Sequence, residues 1–89
     1  MEETSSLSLE EMFGKKILQI RKDMNLSQQE FGELVGYHRT YIGQIERAEK
    51  CVSIKTVEQI CKALNISVQE LFDFFFFFSW NIAHDFFLF

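Results

Sequence analysis

The sequence predicts an all-α fold of five short helices, and three observations carry that reading. No proline occurs anywhere in the chain, so no helix is broken from within by a missing amide and a clashing ring. Ser8, Ser27, Ser53 and Ser67 each stand just ahead of apolar residues at helical spacing, which is where a hydroxyl can accept from the orphan amides of a helix start. No apolar–polar alternation before residue 70 is long enough for a strand.

Three of those serines have glutamate three residues on: Ser8 with Glu11, Ser27 with Glu30, Ser67 with Glu70. These are capping boxes, in which the hydroxyl serves one free amide and the carboxylate reaches back to another. The first helix is expected from Leu9 to about Met24, with Phe13, Ile17, Ile20 and Met24 on one stripe and Asn25 as its left-handed end. The second runs from Gln28 to Val35 and stops at Gly36. After only Tyr37 and His38 the third begins and carries Ile42 and Ile45 inward to about Arg47. The loop Ala48 to Val52 leads to a fourth, Ile54 to Leu64, with Val57, Ile60, Cys61 and Leu64 inward. The fifth starts at Val68 and uses Leu71 and Phe72.

A chain of 89 residues holds one hydrophobic core. The net charge of −4 argues, taken alone, against a nucleic-acid partner, but its distribution argues the other way. All nine Lys and Arg fall between Lys15 and Lys62, among six acids, while both ends carry acids and no base. A basic middle between acidic ends suits a surface facing phosphates. Cys51 and Cys61 are too few for a disulfide scaffold, and both are expected reduced, in a cytoplasmic protein. Met1 to Ser6 lacks the basic and apolar regions of a secretion signal. His38, His84, Cys51 and Cys61 do not have metal-ligand spacing, so neither a metal nor a cofactor is expected. Cys61 falls on an apolar stripe and no oxyanion- or phosphate-cradling glycine loop exists, so an enzyme is not expected either.

Two short helices joined by a tight glycine-containing turn form a helix-turn-helix, whose second helix can enter the major groove of DNA. Gly32 would let the second and third helices cross closely, and Tyr37, Ile42 and Ile45 would anchor the third. The outward positions are then Arg39, Thr40, Gly43, Gln44 and Arg47.

The stretch Leu26-Ser27-Gln28-Gln29-Glu30-Phe31-Gly32, then Gly36, then Arg39 through Arg47 (RTYIGQIER) resembles the Cro and phage-repressor (XRE-type) helix-turn-helix family. The likeness runs from about Phe13 to Phe72 and takes in Ile54 through Phe72. Arg39-Thr40-Tyr41-Ile42 and Ile45-Glu46-Arg47 especially resemble controller proteins of restriction–modification systems. The resemblance implies a five-helix lambda-repressor-like DNA-binding domain. It implies Arg39, Thr40, Gly43 and Gln44 at base edges, where arginine suits guanine and glutamine suits adenine. It implies Gln28, Tyr41, Arg47, Lys50 and Lys55 at the sugar–phosphate backbone. Glu46 would hold Arg47 or a base of the first helix in place. Glu33 aligns with an acidic patch that some members present to RNA polymerase. Gly43 and Gly32 depart from the commoner Ser or Ala, and His38 from the commoner Ser or Asp at a helix start.

From Phe72 onward the composition changes, with nine of the eleven phenylalanines falling there. Burying one Phe gains roughly 1.5–3 kcal/mol, and a domain this small cannot cover them all alone. Three fates are open: a homodimer interface built on Leu71, Phe72 and Phe75, a membrane or partner-protein contact, or a poorly ordered stretch prone to aggregate. The expected organisation is a flexible residue 1–8 segment, a DNA-binding domain over 9–73 and an apolar C-terminal extension over 74–89. The expected function is a sequence-specific regulator of transcription that binds a pseudo-palindromic duplex operator as a homodimer. The alternative is an antitoxin-like or adaptor module whose aromatic tail binds a protein or membrane.

Overall fold

The computed structural model describes residues 7–72, and the Phe-rich extension, Phe75 included, lies outside the described residues. Five helices follow in order: α1 (Leu9–Asp23), α2 (Gln28–Val35), α3 (Arg39–Glu46), α4 (Ile54–Leu64) and α5 (Val68–Leu71). All three capping boxes form. Ser8 Oγ accepts from the Glu11 amide at 3.1 Å while the Ser8 amide donates to Glu11 Oε1 at 2.7 Å, and the same reciprocal pair starts α2 and α5. Ser53 caps α4 through the Thr56 amide, 3.1 Å away. At α3 the cap is His38, whose Nδ1 accepts from the Thr40 amide at 3.0 Å. α1 and α3 each end one residue short of the expected bound, with Met24 and Arg47 as their caps.

Four helices end in the same way, on a residue of positive φ: Asn25 (59°), Gly36 (88°), Ala48 (59°) and Asn65 (57°). The next amide then bonds back five residues: Leu26 to Arg21, Tyr37 to Gly32, Glu49 to Gln44 and Ile66 to Cys61, at 2.8–3.1 Å. This satisfies carbonyls a helix end would otherwise leave bare. Ala48 is the costly member, because its Cβ crowds the following carbonyl in that conformation. Ala48→Gly is therefore expected to stabilise the domain by about 0.5–1 kcal/mol, less than the full relief because glycine also frees the unfolded chain. A urea midpoint that fails to rise would show that the turn is not strained.

Every helix gives side chains to one core: Phe13 and Ile17, Phe31 and Val35, Ile42 and Ile45, Ile60 and Cys61, and Leu71. Ile20, Val57 and Leu64 pack around it half-buried, while Met24 lies largely at the surface. α3 sits at the centre, packed on α2 and across α1. Two close approaches set that geometry. A Cβ at Gly32 would run into the Tyr37 carbonyl, so the turn between α2 and α3 needs a residue without one. A Cβ at Gly14 would meet the carbonyls of Ile45 and Glu46, so α1 crosses the end of α3 backbone to backbone.

Leu71 is fully buried in the core of its own chain, where its side chain locks α5 down. Phe72 is half-buried, its ring 5.8 Å from that of Phe13.

Candidate nucleic-acid interface

Ile42 and Ile45 face the core, and this fixes what α3 turns outward. At 3.6 residues per turn, Arg39, Thr40, Gly43, Gln44 and Arg47 share the opposite face. Arg39 and Thr40 are exposed at its N-terminal end, Gln44 is half-buried, and Arg47 is exposed at its C-terminal end. Gly43 is on that face yet buried, because two neighbours lie over it. A Cβ there would stand 3.0 Å from Arg47 Nη1 and 3.5 Å from the Gln28 amide. The missing side chain is thus the space into which Gln28, from the start of α2, reaches the outer face of α3.

Hydrogen bonds tie most of these groups to the protein. Gln28 Nε2 donates to Glu46 Oε1 at 2.9 Å. Arg39 Nη1 donates to Gln29 Oε1 at 3.2 Å, and the same amide donates to Glu33 Oε2 at 3.4 Å, which sets its orientation. Arg47 grips Glu49 through Nε at 2.7 Å and Nη2 at 3.2 Å. These bonds raise the Arg47 pKa and hold the Glu49 carboxyl below its ordinary range. Tyr41 is half-buried, with its hydroxyl 3.2 Å from Thr56 Oγ1 and its ring edge-on to Tyr37 at 5.0 Å. Lys50 and Lys55 are exposed, Lys50 in the loop after α3 and Lys55 at the start of α4, 3.4 Å from Glu58. Glu33 is exposed on α2.

Beneath this face lies a polar brace that sequence alone left open. Glu46 takes a base of the first helix, Arg21, and not Arg47: Arg21 Nε donates at 2.6 Å and Nη2 at 3.1 Å. The two side chains are 13% and 5% exposed. Arg21 Nη1 also donates to the Leu26 carbonyl at 2.9 Å, so one guanidinium joins α1, the α1–α2 turn and α3. Glu46 raises the Arg21 pKa further. Thr56, also missed, is buried and receives the Tyr37 hydroxyl at 3.3 Å. Its signal was the spacing Ser53-x-x-Thr56, which places a hydroxyl where a capping glutamate would otherwise reach back.

Of the cysteines, Cys61 is buried and burial pushes its thiol pKa up, while Cys51 donates to Glu10 at 3.4 Å. Among the described residues no group of His, Cys, Asp and Glu could hold a metal, and no helix is long and apolar enough to cross a membrane.

Two short helices locked at a glycine turn, the second buried on one side and polar on the other, define a helix-turn-helix protein. Residues 17–71 match the helix-turn-helix family HTH_3, and the chain belongs to that family. It is 40% identical over 65 residues to Control protein C.SmaI of Serratia marcescens, covering 73% of this chain and 77% of that protein. Its fold superposes on the restriction-modification controller protein C.AhdI from Aeromonas hydrophila with a TM-score of 0.65 at 33% identity, over 71% of this chain and 91% of that one. The biofilm regulator SinR, solved in complex with DNA, matches with a TM-score of 0.60 at 34% identity, over 67% and 97%.

Proposed function

We propose that this protein is a sequence-specific, double-stranded DNA-binding regulator of transcription, of the restriction–modification controller type, and that it acts without catalysis. The observation that carries the reading is the outer face of α3, where Arg39, Thr40 and Gln44 stand together on a helix held by core contacts on its other side. Arg39 and Gln44 offer the bidentate donors and acceptors that guanine and adenine edges match, and Thr40 offers a hydroxyl and a methyl. Gly43 gives no side chain and admits Gln28 to the same face. Gln28, Tyr41, Arg47, Lys50 and Lys55 are assigned to the sugar–phosphate backbone, which positions the helix without reading sequence. The similarity to control proteins supports the controller assignment.

One α3 reads few base pairs, so a homodimer on half-sites about one helical turn apart is the arrangement that gives useful discrimination. With Leu71 committed to the core, the pairing surface is assigned to Phe72 and the residues beyond it, Phe75 among them. Glu33, exposed on α2, is assigned as a contact for RNA polymerase bound alongside.

Selection from a randomised duplex pool at physiological salt tests the function. The expected result is a pseudo-palindromic consensus with half-sites about one turn apart. Salt-sensitive binding without enrichment of any sequence would overturn it.

A further inference from the structure

We infer that Glu49 is an internal rival for the DNA phosphate assigned to Arg47, and that it sets how strongly this protein binds duplex DNA irrespective of sequence. The inference rests on the placement of Arg47 at the DNA backbone proposed above. The bond pair from Arg47 Nε and Nη2 to the two Glu49 oxygens is the fork geometry by which a guanidinium grips a phosphate. The remaining terminal nitrogen, Nη1, folds back over Gly43. Two of the guanidinium's three nitrogens are thus taken by Glu49 while the side chain stays largely in solvent.

The backbone makes this pairing local and cheap to form. Arg47 caps α3, Ala48 takes the left-handed conformation, and the Glu49 amide returns to the Gln44 carbonyl at 2.8 Å. That motif fixes the chain direction between Arg47 and Glu49, so only side-chain torsions must be ordered to close the pair. Both side chains remain more than half exposed, so neither holds the core together. For Arg47 to take a phosphate it must give up one anion for another. The carboxylate left behind then adds a negative charge beside the backbone. Both effects weaken binding to any duplex and leave the base-reading face of α3 untouched.

A double-mutant cycle on one mixed-sequence duplex, titrated across salt, tests this with Glu49→Gln, Arg47→Gln and the pair. Glu49→Gln is expected to tighten binding by about three- to tenfold and to steepen the salt slope by about one. Arg47→Gln should then cost several times more affinity on the Glu49→Gln chain than on the unaltered one. An equal loss on both chains would overturn the rivalry and leave Arg47 as a phosphate contact. No loss on either would overturn the rivalry and that contact together. Circular dichroism and thermal midpoints should match for all four proteins, since the pair lies at the surface.

Discussion

Glu46→Ala should lower the unfolding free energy by about 2–4 kcal/mol, the scale of breaking a nearly buried ion pair by deleting one partner. The carboxylate accepts both Arg21 donors and the Gln28 amide, and it is 5% exposed. Its removal leaves the Arg21 guanidinium, itself only 13% exposed, facing the α3 end with one bond to the Leu26 carbonyl. A charge so placed has little water and no carboxylate partner in Glu46, and that desolvation dominates the loss. Glu46→Gln keeps the shape and one acceptor and should lose clearly less. Arg21→Ala combined with Glu46→Ala should recover part of the deficit, because no charge is then stranded. The readout is urea unfolding of the unaltered chain, Glu46→Ala, Glu46→Gln, Arg21→Ala and the double variant. A loss below about 1 kcal/mol, with no coupling, would mean that the pair behaves as a surface bridge. DNA affinity should fall too, because Gln28 loses the partner that holds it over Gly43.

This brace also marks where the sequence stopped being legible. The helix starts were readable because Ser-x-x-Glu is a local pattern that acts through amides three residues away. Asn25 and Gly36 were readable as helix ends because both residue types tolerate positive φ. Ala48 gave no such signal, since alanine has no preference for that conformation and tertiary packing imposes it. The partner of Glu46 could not be chosen either, because Arg21 stands 25 residues away. Its proximity follows from α1 crossing α3 at Gly14, a contact between backbones that leaves no mark beyond a glycine. Arg47, adjacent in sequence, is instead drawn off by the left-handed turn toward Glu49. Leu71 followed the apolar pattern to a buried place on α5, and periodicity shows that a side chain is buried, not whether its own core or a second subunit does the burying.

Arg39→Ala should weaken binding to the selected duplex by about 1–3 kcal/mol, or some five- to 150-fold, and relax preference at one base pair of each half-site. Arg39 is the first residue of α3, where a helix in the major groove points its side chains at base edges. Its guanidinium is steadied by Gln29, whose amide is itself oriented by Glu33, so little side-chain freedom remains to be lost on binding. Folding should be unaffected, since the side chain is exposed and outside the core. Lys55→Ala supplies the contrast. Its side chain is 89% exposed and its ammonium offers charge without a fixed fork, so its loss should weaken every duplex alike and shallow the salt slope by about one. The two variants therefore separate reading from holding: Arg39→Ala must cost more on the selected duplex than on mixed sequence, and Lys55→Ala must not. Equal losses from both on both duplexes would remove Arg39 from the bases and leave α3 gripping only the backbone.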